Sequence, residues 1–321
     1  MNTNSTKMMF MNTMMIGVMV SMCSNSWMMI WAGLEISLMS FIPLMEKESV
    51  LSTESSIKYF IIQSISSSMM ILSMIMNFKK TSWLIISYSM MIKMGITPFH
   101  TWMVSVSEGL TYINLFILLT INKIPPMTIL NYIMVENPMM SILSLMIGSI
   151  MGLNQMSARK ILTYSSIYNM GFILMLSKST PNWITFLFIY SILLTMTMFM
   201  LKMMSISYIN QMSMNNQKKM SKLSMWIVML SMSGIPPSVG FMNKLLTIEL
   251  MIQKKQLLIS TMMILTSLLL SFYYMRMTFS SFMFQSMSMK WQLKMNNKML
   301  MSMSMLSMMI SPILITLKCI S

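Results

Sequence analysis

The sequence predicts an all-α integral membrane protein of about eleven transmembrane helices, and three observations carry that expectation. The first is composition: 55% of the 321 residues are hydrophobic and only 9% are charged. A soluble domain carries roughly 25% charged residues, so this chain cannot solvate a globule's surface and must turn that surface to lipid. The second is run length. A membrane-crossing helix needs ~20 apolar residues, and with short connections the chain holds about ten or eleven such runs. The third is continuity: the apolar runs do not break into the ~10-residue alternating segments of a membrane barrel.

In order, the spans are expected near 8–23, 27–45, 57–76, 83–103, 108–134, 139–155, 160–177, 183–207, 223–252, 257–284 and 298–318. The start, "MNTNSTKMMF" before an apolar run, imitates a signal peptide. It lacks a small-residue cleavage site and the rest is equally apolar, so it reads as a retained first span. Connections are short and polar: "EKESVLSTESS", "NFKKTS", "SKSTPN" and "NQMSMNNQKKMSK". Residues 1–321 therefore read as a single polytopic membrane domain. Two spans look interrupted. The fourth holds "KMGITPFHTW" and the ninth "SGIPPSVGFMNK". Pro removes a backbone donor and Gly loosens a helix. Broken backbone at membrane depth is tolerated only inside protein or beside a water-filled cavity, and such discontinuous helices mark ion sites in transporters.

The residue bias is informative. There are 56 Met, no Asp, two Ala and two Arg. Residues with GC-rich codons are scarce, as expected for an AT-rich organellar genome, and Met takes the place of Leu as lipid-facing filler. The formal net charge of +15 is spread in short clusters between apolar runs, which is a topology pattern rather than a nucleic-acid patch. Eleven spans put the termini on opposite sides. The N-terminal side would carry eleven basic residues, among them Lys58, Arg159, Lys160 and Lys222, and the other side six, among them Lys79, Lys80, Lys254 and Lys255. The positive-inside rule then puts the N-terminus in the matrix.

Several chemistries are excluded. Cys23 and Cys319 lie at opposite ends, and no Cys/His cluster exists, so neither a zinc nor an iron–sulfur site is expected. The single His100 cannot build a metal site alone. No GxGxxG after a strand and no P-loop appears, so no nucleotide binding, and no cofactor of any kind, is expected of this chain.

Four ionisable residues fall inside apolar spans: Glu35, Lys93, Lys123 and Lys244. Each costs ~2.5–3.5 kcal/mol at mid-bilayer, so four uncompensated charges would cost on the order of 10–14 kcal/mol, a whole domain's stability. Snorkelling to the headgroups suits Lys202, Arg276 and Glu249, near span ends. It suits Glu35 and Lys123 poorly, because both are set deep in apolar sequence. Burial disfavours an ammonium, and a carboxylate ~4 Å away favours it by roughly 4 kcal/mol at an effective dielectric of 20. Moving one proton against 100 mV takes ~2.3 kcal/mol. A lysine whose acidic partner approaches and withdraws thus has enough leverage to move a proton. A structural ion pair between helices is the alternative. His100 suits a proton relay or a hydrogen-bonded interfacial role. Glu108 is expected to open the next helix, near the positive end of its dipole. The Tyr, Ser and Thr of "ARKILTYSSIYNMGFIL" suit either a wet path or helix–helix hydrogen bonding.

At these residues the chain resembles a known family. "WAGLEISLMSFIPLM", "KYFIIQSISSS", "KMGITPFHTW", "SEGLTYINLFILLTINKIPPMTIL", "GLNQMSARKILTYSSIYNMGFIL" and "LSMSGIPPSVGFMNKLL" are similar, in order, to the chain 2 family of mitochondrial NADH:ubiquinone oxidoreductase (respiratory complex I). The likeness covers most of residues 27–250, and "SFYYMRMTFSS" extends it more loosely. It implies an antiporter-like bundle with inverted repeats and two broken helices. It also implies a role in proton translocation across the mitochondrial inner membrane, driven by electron transfer in other subunits. The partners implied are other membrane-arm subunits and the lipid bilayer, with no direct NADH or ubiquinone binding. By the same resemblance Glu35 matches a glutamate paired with Lys93, Lys123 a central relay and Lys244 a distal site. Val104-Ser105 stands where the family often has Pro-Glu, Ile121-Asn122 where it has Trp-Gln, and Asn243 where it has Pro. An autonomous cation/proton antiporter and a non-conducting structural subunit are the rival readings.

Overall fold

The computed structural model describes residues 2–46, 49–76, 79–133, 137–177, 182–214, 219–236 and 238–283. All named elements among them are helical, and one isolated antiparallel bridge joins Ser157 to Tyr208. Among the described residues five stretches are long and apolar enough to cross a membrane: Trp27–Met45, Val50–Ile75, Tyr112–Ile133, Asn182–Met203 and Leu257–Phe279. The shorter helices Pro138–Leu153 and Lys222–Ser233 are also apolar. The span expected at 298–318 lies outside the described residues. The chain divides into two compact units, 1–144 and 145–321.

The first unit opens with α1 (Asn2–Cys23) and α2 (Trp27–Met45). Their backbones touch where small residues align. A Cβ on Gly17 would stand 2.7 Å from the Ser37 nitrogen, and one on Gly33 2.6 Å from the Ser21 nitrogen. Gly17-x-x-x-Ser21 faces Gly33-x-x-x-Ser37, the small-residue spacing that lets helices approach in lipid. Gly33→Leu is expected to force the pair apart at a cost of roughly 1–3 kcal/mol or more. The check is a lower thermal-aggregation midpoint of the solubilised protein.

Helix α3 (Val50–Ile75) begins inside the expected polar linker. The reason is that its serines satisfy themselves: Ser52, Ser55 and Ser56 bond back to the carbonyls of Ser49, Ser52 and Thr53. Glu54 and Lys58 form an i,i+4 ion pair. The helix is inside-out. Its buried stripe reads Ser52, Ser55, Ser56, Tyr59, Gln63, Ser66, Ser67, Met70 and Ser73, while Ile57, Ile61, Ile65 and Leu72 are exposed. That polarity fits a helix with lipid outside and a polar seam inside.

The expected fourth span is two helices, α4 (Lys79–Met94) and α5 (Thr101–Gly109). The next expected span starts later, as α6 (Tyr112–Leu119), because Thr111 caps it by accepting from the Asn114 nitrogen. Glu108 therefore sits in the last turn of α5 and does not open a helix. Gly109 allows α5 to close on α3, since a Cβ there would stand 2.3 Å from the Leu51 carbonyl. A 3-10 turn, Ile121–Lys123, leads into α7 (Ile124–Ile133), and α8 (Pro138–Leu153) follows.

In the second unit α9 (Ala158–Leu176) is buried along almost its whole length. Against it pack α10 (Asn182–Met203) and α13 (Val239–Gln253), and the unit also holds the short α11 (Ile209–Met214), α12 (Lys219–Ser233) and α14 (Leu257–Met283). The helical α11 and the start of α12 occupy much of the expected "NQMSMNNQKKMSK" linker. The turn before α9 is pinned to the turn before α11: Ala158 donates to the Ser207 carbonyl and Ile209 to that of Met156, both at 3.0 Å.

Candidate proton-handling sites

In the first unit the site is built on a helix that stops. Gly95 takes φ +67°. The Ile96 nitrogen reaches the Met91 carbonyl and the Gly95 nitrogen the Ile92 carbonyl, each at 3.1 Å. This is a glycine-capped helix end, and it places Lys93 in the last turn of α4. A helix end away from water leaves carbonyls to satisfy. Trp102 Nε1 of α5 donates to the Ile92 carbonyl at 3.1 Å, and Gln63 Nε2 of α3 donates to that of Lys93 at 3.2 Å. The negative end of the α4 dipole also favours a cation here.

Lys123 sits at a second interruption. Pro125 and Pro126 have no N–H to give to a preceding turn, so the chain tightens to 3-10 geometry at Ile121–Lys123. Lys123 is 2% exposed, and its Nζ has no hydrogen-bond partner among the described residues. Lys93 and Lys123 line one small cavity together with Tyr59, Gln63, Trp102 and Asn122.

Glu35 stands beside this cavity. One carboxylate oxygen accepts from the Ser67 hydroxyl at 3.3 Å, while the other is buried with no partner among the described residues. Its charge acts on both Lys93 and Tyr59. No Glu35–Lys93 ion pair is closed, however, and among the described residues the Ser67 hydroxyl is the hydrogen-bond partner that Glu35 has. The structure thus brings Glu35, Lys93 and Lys123 to one neighbourhood and leaves the carboxylate and amine apart. His100 lies in the break, with Nδ1 3.3 Å from the Pro98 carbonyl, and does not line the cavity.

Lys244, in the second unit, repeats the pattern. Gly234 takes φ +75° and ends α12, with the Ile235 nitrogen reaching back to the Leu230 carbonyl and the Gly234 nitrogen to that of Ser231. Lys244 Nζ donates to the Ser233 carbonyl and lies 5.5 Å from the Tyr168 ring centre. The glycine is needed twice over, because a Cβ there would stand 2.9 Å from that Nζ. Lys244 lines a smaller cavity with Asn169, Tyr190 and Asn243. Asn243 donates to the Phe186 carbonyl at 3.2 Å and leaves its own Oδ1 without a partner among the described residues.

Arg276, two turns from the end of α14, donates to the Gln155 carbonyl at 2.9 Å, just past the end of α8. Sequence reasoning also missed Ser67, Gln63, Tyr59 and Asn122. The signal was present as the i, i+3/i+4 polar stripe of α3. Asn122 donates to the Tyr59 hydroxyl at 3.5 Å, so this stripe touches every charged element of the first unit's site.

The comparisons bear on what such an arrangement serves. The family model described as NADH:quinone oxidoreductase/Mrp antiporter, TM, matches residues 24–88 and 80–271. NADH-ubiquinone oxidoreductase chain 2 of Anopheles gambiae is 35% identical over 308 residues, covering 90% of both chains. The Locusta migratoria protein of the same name is 35% identical over 296 residues, covering 88% of this chain and 86% of its own. Among solved structures, a chain of respiratory complex I from Thermus thermophilus with bound aureothin superposes with a TM-score of 0.82. It is 16% identical, and the match covers 95% of this chain and 78% of that one; at that identity the likeness is one of fold. On these matches the chain belongs to the NADH-ubiquinone oxidoreductase chain 2 family, the antiporter-like membrane subunits of complex I.

Proposed function

We propose that the chain is a core membrane-arm subunit of respiratory complex I in the mitochondrial inner membrane, moving protons while electrons pass from NADH to ubiquinone in other subunits. The observation that carries this is the shared cavity of Lys93 and Lys123, with the Glu35 charge acting on Lys93 from outside hydrogen-bond reach. A closed ion pair would lock a proton in place. An open one lets a small movement of α2 strengthen or weaken the hold on the Lys93 proton, the leverage of ~4 kcal/mol exceeding the ~2.3 kcal/mol needed per proton at 100 mV. In this reading Glu35 biases Lys93, Lys93 exchanges charge with Lys123, and Lys244 serves the second unit. The polar stripe of α3 holds these groups in position. Partner membrane subunits supply the movement. The larger number of basic residues expected on the N-terminal side, Arg159 and Lys160 of the α8–α9 turn among them, supports a matrix-side N-terminus. His100, at the α4–α5 break, is a candidate relay between that break and water.

The placement is tested by a native gel of solubilised mitochondrial membranes, stained for NADH oxidation, with mass spectrometry locating this polypeptide. Co-migration with the NADH-oxidising band is expected. Its migration elsewhere, with that band lacking it, would favour an autonomous antiporter.

A further inference from the structure

The second unit buries four tyrosines that nothing above uses. Tyr168 (α9), Tyr190 (α10), Tyr273 and Tyr274 (α14) are at most 3% exposed, and none of their hydroxyls has a hydrogen-bond partner among the described residues. Packing alone does not account for them, since phenylalanine would fill the same space without stranding a polar group. They are also not scattered. Tyr190 lines the Lys244 cavity. Its hydroxyl stands near Ser165, Ser166 and Asn169, without closing a geometric hydrogen bond to them, and Tyr274 is close by. Tyr273 is a near neighbour of Tyr274, Tyr168 and Tyr190. The rings of Tyr273 and Tyr274 are 4.8 Å apart. Tyr273 lies against Gly152, near the end of α8, where a Cβ would stand 3.0 Å from its ring. One turn further along α14, Arg276 holds the Gln155 carbonyl in the α8–α9 turn.

We infer that Tyr190, Tyr274 and Tyr273 form a water-bridged hydroxyl chain that connects Lys244 to the aqueous phase at the α8–α9 turn. Lys244 spends one N–H on the Ser233 carbonyl and has others to give. A tyrosine hydroxyl both donates and accepts, and water completes buried polar groups of this kind. In each hop a hydroxyl or water oxygen accepts a proton while giving up its own. One proton leaves the Lys244 ammonium, one emerges at the turn, the lysine is left neutral and no electron moves. Run backwards, the chain reloads Lys244. Tyr168 lies under the ammonium by its ring face and holds it in place rather than conducting. The inference rests on the proposed proton-translocating role and names the route by which one of its lysines meets water.

The test uses the whole complex, purified and reconstituted into vesicles, with Tyr190→Phe, Tyr273→Phe and Tyr274→Phe made singly and together, and Lys244→Met beside them. Assembly, NADH oxidation, and pumping in H2O and D2O are measured. The triple variant is expected to assemble normally and pump at least about fivefold more slowly, with Tyr190→Phe alone changing the solvent isotope effect on pumping. Should the triple variant not assemble, Tyr190→Phe carries the same expectation alone. If Lys244→Met stops pumping and the tyrosine variants pump like the wild type with an unchanged isotope effect, the hydroxyl chain is overturned and the role of Lys244 stands. If Lys244→Met pumps normally, the proposed role and the inference fall together.

Discussion

Lys123→Ala is expected to lower proton-coupled turnover about tenfold or more, an energy of about 1.4 kcal/mol or above, in a complex that assembles in normal amount. The two halves of that expectation have separate causes. The Lys123 ammonium is buried with no hydrogen-bond partner among the described residues, so its removal relieves a cost of ~2.5–3.5 kcal/mol at membrane depth. The new hole opens onto an existing cavity, which limits the packing loss. A lysine kept there for stability would show the opposite pattern, with poor assembly and normal turnover in whatever complex remained. The measurement is NADH-driven proton uptake in vesicles, normalised to complex quantified on a native gel, at the equivalent position of a bacterial relative.

Gly240→Val is expected to be the most damaging single change for folding. A Cβ at Gly240 would stand 2.0 Å from the Ser231 carbonyl oxygen. That oxygen belongs to backbone in the glycine-capped end of α12, so no side chain can turn aside. The start of α13 would have to lift off α12, carrying Lys244 away from the Ser233 carbonyl. Losses above ~4 kcal/mol come from a short list of causes, a forced backbone shift among them. The expected result is that the chain is missing from the assembled complex on a native gel. A normal level would show that the close approach at this break is dispensable.

Much of this was legible in the sequence because its causes are local. Gly95 with Pro98, and Gly234 with Pro236, announce helix ends through their own backbone chemistry, and both breaks stand where expected. The interruption at Ile121–Lys123 was signalled equally by Pro125 and Pro126. The run around it is nevertheless continuous in hydropathy, and hydropathy does not register a missing N–H. The start of α3 was placed too late for a related reason. Serines read as linker by polarity, yet their hydroxyls return to helix carbonyls.

The site itself was half legible. A lysine deep in apolar sequence stands out, and the family resemblance supplied Glu35 as a companion. The distance between Glu35 and Lys93 depends on how α2, α3 and α4 pack, and no local pattern encodes it. Likewise the Ser233 carbonyl becomes a partner for Lys244 only once Gly234 has turned the chain back.

The central claim is that Lys123 gives up and regains a proton, and Lys123→Arg tests it most directly. Arginine preserves the positive charge and much of the length but does not release its proton at any physiological pH. The measurement is protons translocated per NADH oxidised, in vesicles carrying assembled complex. A ratio clearly below that of the wild type is the predicted result. A wild-type ratio would show that a fixed charge suffices at this position, and would contradict proton transfer through Lys123.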